Sequence, residues 1–230
     1  MKRIAFYGGS FDPPHDGHLT IARKLIEIFE LSEFVFVPAF HAPHKKDKNP
    51  TSAFHRYAML ALATNDAPKI GISKMELDVP ARPYTFETLL RLKNELKNTQ
   101  IFFVMGADSW QDITTWREWE KVLTLVNIIV VTRPDYEIAF SHITEEIKAR
   151  IVDLREDFNA KTQRREDAKE FEIWNLKSEI NEVRIYITDV VQIDVSATEI
   201  RQKIKDDVTD WHKDVPVEIA KYIEKYKLYK

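Results

Sequence analysis

Short apolar runs alternate along the chain with segments in which apolar residues recur every three or four positions. Runs that are apolar at every position are typical of strands buried on both faces of a sheet. Four such runs lie at 4–7, 34–37, 101–105 and 128–131. The helical spacing predicts helices over 18–29, 53–64, 85–96 and 116–126. Weaker signals predict strands over 69–77 and 183–187, a helix starting near Ser196, and a helix over 215–226.

The order of these elements predicts the fold class. Apolar strands that alternate with helices are typical of an α/β protein whose parallel sheet is covered on both faces. A length of 230 residues suits one domain of ordinary size. The pattern breaks at 145–170, where 15 of 26 residues are charged, eight acidic and seven basic. We therefore expect one domain, 1–230, with a charged insertion at about 137–182 that forms a solvated helix or a partly disordered segment.

Composition argues against several classes of protein. The formal net charge is only −3, whereas a general nucleic-acid binder usually has a basic face, so no nucleic-acid partner is expected. The chain has no cysteine, which excludes disulfides, thiolate metal sites and cysteine nucleophiles. No apolar stretch approaches the roughly 18 residues of a membrane span, and the N-terminal apolar run is too short for a secretory signal. The expectation is a soluble, cytoplasmic protein with no membrane partner.

The first candidate site follows the first predicted strand. Residues 8–18 read Gly-Gly-Ser-Phe-Asp-Pro-Pro-His-Asp-Gly-His and lead into a helix. Ligands bind at this position in open α/β sheets, and amides at a helix N-terminus favour an anion. Gly8 and Gly9 allow the backbone to come close to a ligand and to take positive φ. His15 and His18 fall on one side of the first helical turn, where both can donate to a phosphate. The alternative, half of a metal site, lacks an evident third ligand.

A second candidate anion site lies at 195–201, which reads Val-Ser-Ala-Thr-Glu-Ile-Arg. Ser196 is a good helix N-cap, and Glu199 completes a capping box. A capping box by itself indicates only where a helix begins. The hydroxyls of Ser196 and Thr198 and the guanidinium of Arg201 would, together with free helix amides, also form a phosphate site.

The two motifs together resemble the paired signatures of the nicotinate- and nicotinamide-mononucleotide adenylyltransferases, a family of the nucleotidyltransferase superfamily. The resemblance covers 4–229 apart from roughly 137–182. It implies a Rossmann-like, doubly wound parallel sheet of the nucleotidyltransferase type with a C-terminal helical segment. It also implies that ATP lies between the motifs, with both histidines on its phosphates. The residues implied to bind ATP are Gly8, Gly9, Ser10, Phe11, His15, Gly17, His18, Ser196, Thr198 and Arg201.

The middle of the chain resembles the pyridine-nucleotide branch of that family. The His-Ala-Pro-His-Lys loop at 41–45 matches a family loop, and the match implies that Lys45 reaches the triphosphate. Catalysis is thus implied to depend on His15, His18, Lys45 and Arg201. In the family, backbone amides near the equivalent of Thr85 hold the pyridine substituent and a tryptophan stacks on the pyridine ring. The implied acceptor residues are Tyr84, Thr85, Phe86, Asp108, Trp116 and Arg133. Pro83 departs from the family pattern, which usually has serine there.

The resemblance implies that AMP passes from ATP to nicotinate mononucleotide, giving deamido-NAD and pyrophosphate in NAD biosynthesis. The acceptor phosphate has a second pKa near about 6, so it is largely a dianion at neutral pH and needs no general base. Mg²⁺ is the implied cofactor, bound mainly through the ATP phosphates and not by protein ligands.

Several alternatives stay open at this stage. The acceptor could be nicotinamide mononucleotide or pantetheine phosphate, although the Trp116 segment and the chain length disfavour the latter. A non-catalytic nucleotide-binding regulator could share the fold. A dehydrogenase is disfavoured because the Gly-x-Gly-x-x-Gly fingerprint is missing. The chain could also form a homo-oligomer.

Overall fold

A computed structural model describes residues 1–40, 51–78, 83–132, 137–155, 182–189, 191 and 195–230. The strands within these ranges are β1 (Lys2–Gly9), β2 (Glu33–Pro38), β3 (Ile70–Ile72), β4 (Thr99–Gly106), β5 (Asn127–Val131), β6 (Ile151–Asp153) and β7 (Ile185–Thr188). The α-helices are α1 (Asp16–Ile28), α2 (Ala53–Thr64), α3 (Thr85–Glu95), α4 (Ala107–Gln111), α5 (Trp119–Leu125), α6 (Glu145–Lys148), α7 (Ala197–Lys205) and α8 (Val217–Tyr226). Short 3-10 helices cover Ile113–Thr115 and Thr209–Asp214.

The strands form one sheet in the order β3-β2-β1-β4-β5-β7-β6, and every neighbouring pair is parallel. Strands β2 and β3 are added to the sheet on one side of β1. The chain then returns, and β4 pairs on the other side of β1. This reversal opens a crevice at the carboxyl ends of β1 and β4, where ligands bind in doubly wound folds. The predicted parallel α/β class is confirmed.

Both faces of the sheet are buried, which explains why the strands are apolar at every position. Ile4 and Phe6 of β1 pack in one core cluster with residues of α3 and α5. Ala5 and Tyr7 point to the opposite face and pack in a second cluster with α1. A third cluster joins α7 and α8 to Met59 of α2, so the C-terminal helices are packed against the body of the sheet domain.

The structure differs from the sequence predictions at several places. The helix predicted over 116–126 begins only at Trp119, because Trp116 has extended backbone and Glu118 is left-handed. The strand predicted over 69–77 ends after β3, because the chain turns at Lys74, whose carbonyl accepts from the amides of Leu77 and Asp78. Helix α4 was not predicted, since it is only five residues long. Strand β6 was also not predicted, because it lies inside the charged segment and pairs only at the sheet edge with β7.

The described part of the charged segment combines surface charges with core contacts. Helix α6 carries an intrahelical ion pair, with Lys148 Nζ 2.6 Å from Glu145 Oε1, whereas Ile147 is buried in the core cluster that contains Ile4. The expected solvated helix or partly disordered segment stays a prediction. Residues 156–170 lie outside the described residues. Among the described ranges, no helix is both long enough and apolar enough to cross a bilayer.

Candidate active site

A cavity of about 510 Å³ opens at the carboxyl ends of β1 and β4. That volume is within the range of small-molecule binding sites. Its wall brings together residues that are far apart in sequence but that the motifs had singled out. The predicted site residues in this wall are Gly8, Gly9, Ser10, Phe11, His15, Gly17, His18, Tyr84, Thr85, Asp108 and Trp116.

The β1–α1 loop, residues 10–15, forms one side of the cavity. Its backbone turns at Phe11, which has a φ of 49°, whereas neither Gly8 nor Gly9 has a positive φ. The conformational freedom of these two glycines is therefore not used for a positive φ. The Phe11 ring is buried against Phe36, with centroids 5.1 Å apart, and this packing offsets the backbone strain. Gly9 is needed for close approach instead, because a Cβ there would lie 2.8 Å from the Phe11 ring.

His15 and His18 lie side by side at the start of α1, as their spacing predicts. Their rings are stacked with centroids 3.7 Å apart. His15 is the N-cap of α1, and its backbone amide donates to His18 Nδ1 at 3.3 Å. Since Nδ1 accepts this bond, a neutral His18 carries its proton on Nε2, which is then a donor suited to a phosphate oxygen.

Gly17 and Phe11 keep this pair of imidazoles in place. A Cβ on Gly17 would lie 3.0 Å from His15 Nδ1, which is tight enough that the His15 ring would have to shift. The Phe11 ring meets His18 edge-on, with centroids 5.0 Å apart. The glycine between the two histidines is thus favoured by the close approach of the His15 ring and not by φ.

The second motif begins α7 as predicted. Ser196 is the N-cap, and its Oγ accepts from the Thr198 amide at 3.2 Å. The Arg201 guanidinium donates to the Asp12 carbonyl at 2.5 Å and to Thr198 Oγ1 at 3.1 Å. Arg201 therefore bridges α7 to the β1–α1 loop. Among the described residues of this motif, Val195 lines the cavity, whereas Ser196, Thr198 and Arg201 lie outside its lining.

The segment predicted to bind the acceptor starts at the N-terminus of α3. Tyr84 is the N-cap, and its amide donates to Glu87 Oε2 at 3.0 Å. The amides of Thr85 and Phe86 are the first two of the helix, so they have no acceptor inside it. The Arg117 guanidinium lies over the Tyr84 ring, 4.8 Å from its centroid. This region therefore combines free helix amides, an aromatic ring and a cation beside the cavity.

The remaining acceptor candidates divide into two groups. Trp116 is half-buried in the cavity wall, with its ring edge-on to Phe103 at 6.5 Å. Asp108, in the first turn of α4, is an exposed carboxylate in the same wall. Phe86 instead packs against the core, with Lys121 Nζ 5.5 Å from its ring centroid, and is not part of the cavity lining.

Two predicted site residues, Lys45 and Arg133, lie outside the described residues, so their roles stay predictions. Over the ranges that the structure describes, no group of three or more histidine, aspartate or glutamate side chains is arranged to hold a metal ion.

Comparison with known proteins identifies the family. A family model described as Cytidylyltransferase-like matches residues 6–203. A probable nicotinate-nucleotide adenylyltransferase of Clostridium acetobutylicum is 34% identical over 100% of both chains. The nicotinate-nucleotide adenylyltransferase of Bacillus subtilis is 35% identical over 70% of this chain and 88% of its own. The chain belongs to the nicotinate-nucleotide adenylyltransferase family.

A solved structure supports the fold of this adenylyltransferase. The Plasmodium falciparum nicotinic acid mononucleotide adenylyltransferase, complexed with NaAD, matches it with a TM-score of 0.70 and 23% identity, over 100% of this chain and 98% of that one. At that identity the match establishes a shared fold. The predicted nucleotidyltransferase-type sheet with a helical C-terminal segment is confirmed.

Sequence reasoning missed two residues of the site, Arg56 and Glu76. Arg56 of α2 is only 1% exposed, and its guanidinium donates to four backbone carbonyls. Two of these carbonyls, at Ser10 and Ala39, directly follow β1 and β2. Arg56 therefore fixes the loops at the carboxyl ends of these two strands. Burial lowers the pKa of Arg56. The available signal was a charge at a position that shares a helix face with the buried Met59.

Glu76 lies in the cavity wall, next to Thr88 of α3, whose hydroxyl donates to Glu76 Oε1 at 3.4 Å. Burial raises the pKa of this carboxyl to about 7, and the hydrogen bond from Thr88 offsets only part of that rise. No local pattern distinguishes Glu76 from an ordinary surface glutamate, because its burial results from α3 and the cavity wall folding over it.

The raised pKa of Glu76 predicts that folding stability falls as pH rises toward neutrality. The pKa of this carboxyl is about 7 in the folded protein and 4.5, its ordinary value, in the unfolded chain, so between these values the folded protein binds more protons. The stabilisation is complete below the unfolded pKa and is lost as pH rises through the folded pKa, a change of at most about 3 kcal/mol. Glu76→Gln should therefore be more stable than the parent above about pH 8 and similar to it near about pH 5.

Urea denaturation at both pH values measures this difference. Glu95→Gln is the matched control, because Glu95 is an exposed carboxylate near the end of α3, paired with Arg91. A parent protein and a Glu76→Gln variant with the same pH dependence of unfolding free energy would contradict the prediction.

Proposed function

We propose that the chain transfers AMP from ATP to nicotinate mononucleotide, forming deamido-NAD and pyrophosphate. The observation that supports this most is a single cavity whose wall holds both the β1–α1 loop and the start of α3. The β1–α1 loop suits phosphates, and the start of α3 suits an aromatic ring that carries an anionic substituent. One cavity with both groups would hold two substrates in the contact that the reaction requires.

The ATP side of this proposal uses the N-terminus of α1. The amides of Asp16 and Gly17 have no acceptor within the helix and, with the helix dipole, favour a phosphate. His18 Nε2 and the neighbouring His15 ring add donors on the same side. Arg201 contributes positive charge at the loop and also fixes the loop through the Asp12 carbonyl.

The acceptor side uses the start of α3 and the Trp116 ring. The nicotinate carboxylate would accept from the amides of Thr85 and Phe86, and the α3 dipole favours that negative charge. Stacking on Trp116 would add roughly 0.5–1.5 kcal/mol beyond the buried area. Phe86 is thus proposed to act through its backbone amide, since its ring packs in the core.

The chemistry would be an in-line displacement at the α-phosphorus of ATP. An oxygen of the acceptor phosphate forms the new P–O bond while the bond to the pyrophosphate oxygen breaks. Because the attacking group is already a dianion, positioning and charge neutralisation replace a general base. His15, His18, Lys45 and Arg201 are proposed to stabilise charge on the leaving pyrophosphate.

Mg²⁺ fits this site as a substrate-bound cofactor. It prefers oxygen ligands and keeps several waters, so it needs few protein groups. Asp108 supplies an exposed carboxylate in the cavity wall and is proposed to contact the hydrated ion or a ribose hydroxyl. When bound, the ion would neutralise phosphate charge. ATP and nicotinate mononucleotide are accordingly the proposed small-molecule partners.

Initial rates of pyrophosphate release with ATP and Mg²⁺ test the proposal. Nicotinate mononucleotide should be preferred over nicotinamide mononucleotide by at least about tenfold in kcat/KM, because only the former brings a charge to the α3 amides. Pantetheine phosphate serves as a negative control. A reversed pyridine preference would overturn the assigned acceptor. ATP binding without turnover on any acceptor would favour a nucleotide-binding regulator.

A further inference from the structure

The last residues of the chain return to the β1–α1 loop. Helix α8 ends at Tyr226, and the two residues Lys227 and Tyr229 both adopt left-handed backbone, with φ of 52° and 68°. These turns bring the Tyr229 hydroxyl to Asp12, where it donates to Oδ1 at 2.7 Å. Left-handed backbone is unfavourable for residues other than glycine, so the contacts of the tail must hold this conformation.

Asp12 is a junction between three separate parts of the chain. Its Oδ1 accepts from Tyr229, its Oδ2 accepts from the Thr51 amide at 3.2 Å, and its carbonyl accepts from Arg201 at 2.5 Å. The side chain is buried and does not line the cavity, so Asp12 lies behind the loop. Whatever holds Asp12 therefore also holds the neighbouring Phe11 turn, whose ring contacts His18.

We propose that Tyr229 is a positioning residue for adenylyl transfer, and that it acts by fixing the β1–α1 loop through Asp12. This inference rests on the proposed function, because it assigns a task to the loop that holds ATP phosphates. The tyrosine touches no substrate. Its hydroxyl keeps the Asp12 carboxylate, and with it the loop backbone and the two stacked imidazoles, in the orientation that the transition state needs.

The hydrogen bond from the Tyr229 hydroxyl to the Asp12 carboxylate, which we call the clasp, is suited to hold the loop permanently. A hydrogen bond from a neutral hydroxyl to a carboxylate is strong and directional. Burial and the nearby Asp12 charge raise the pKa of Tyr229, so the hydroxyl remains a donor throughout the neutral range. Arg201 donates to the carbonyl of Asp12 and not to its carboxylate, so the two hydrogen bonds use different atoms of Asp12.

Tyr229→Phe tests the proposal, since it removes one oxygen and keeps the ring that packs with the C-terminal cluster. The expected result is a fall in kcat of about tenfold with KM for nicotinate mononucleotide changed by less than about twofold. Tyr226→Phe is the matched control on the last turn of α8, where the side chain is exposed, and it should keep the parent kcat.

A double-mutant cycle locates the effect. Asp12→Ala removes the carboxylate that accepts from the hydroxyl, so Tyr229→Phe should have little additional effect on kcat in that background. Equal effects of Tyr229→Phe in both backgrounds would overturn the route through Asp12. A parent-like kcat in the folded Tyr229→Phe variant, checked by its melting curve, would show a purely structural tyrosine and overturn the proposal. If Tyr229→Phe does not fold, Asp12→Ala must show the same fall in kcat with little change in KM for nicotinate mononucleotide, and the absence of that pattern overturns the proposal.

The parent protein separates this inference from the proposed function. If the parent releases no pyrophosphate with any acceptor, the proposed function fails. The role of the clasp is then tested by measuring, by calorimetry, the affinity for the α,β-methylene analogue of ATP. This affinity should be weaker in Tyr229→Phe than in the parent and unchanged in Tyr226→Phe. If the parent is active and Tyr229→Phe matches it, only the clasp fails.

Discussion

Replacing His18 with alanine is expected to lower kcat for adenylyl transfer by about 100-fold or more, with a much smaller rise in KM. Two effects combine in this variant. It removes the Nε2 donor that the His15 amide bond holds in the correct tautomer. It also removes the ring on which His15 stacks at 3.7 Å, so the second imidazole loses its support. Steady-state rates with ATP and nicotinate mononucleotide measure both kinetic constants.

His212→Ala is the control for His18→Ala. His212 is an exposed imidazole held by the Thr209 carbonyl and by Glu224, outside the cavity lining. Its removal should leave kcat near the parent value. If His18→Ala retained the parent kcat/KM, His18 would have no role in stabilising the transition state.

Replacing Arg56 with methionine is expected to destabilise the fold by about 3 kcal/mol or more. The guanidinium is buried and donates at 2.5 Å to the Ser10 carbonyl, at 2.6 Å to the Ala39 carbonyl, and to two more carbonyls. Methionine fills most of the space but leaves these buried acceptors without a donor. Arg56→Lys should recover only part of the loss, because an ammonium cannot reproduce the planar fork.

Urea denaturation followed by circular dichroism gives the unfolding free energies of these variants. Arg91→Met is the matched control, since Arg91 is exposed and its ion pair with Glu95 should contribute only about 0.5 kcal/mol. A loss below about 1 kcal/mol for Arg56→Met would mean that water replaces the guanidinium and that the four hydrogen bonds are not required for stability.

The site could be predicted from sequence where its chemistry is local. The two histidines are three residues apart, and any helix that starts before them brings their rings together. The N-cap at Ser196 is likewise local, because its hydroxyl accepts from the amide only two positions later in the chain. Membership of the adenylyltransferase family also followed from short motifs, since these carry both the residue types and their spacing.

Other parts of the site could not be predicted, because their partners are distant in the chain. Arg56 reaches a carbonyl 46 residues away, and Tyr229 reaches Asp12 over 217 residues. Tyr229 has no unusual local pattern, and the only local signal at Arg56 is a charge on the helix face that also carries the buried Met59. The left-handed turn at Phe11 was also missed, since the nearby glycines are the usual candidates and only the tertiary packing of the phenyl ring favours that position.

Most of the strands, the main helices and the two candidate phosphate-binding motifs could be predicted from the sequence, because these depend on apolar periodicity and on residues within one helical turn. Helix α2, for example, has the predicted limits of 53–64. Only the tertiary structure decided the strand order, the burial of Glu76 and Arg56, and the clasp between Tyr229 and Asp12. These features depend on which surfaces meet when the sheet assembles, and that information is spread over the whole chain.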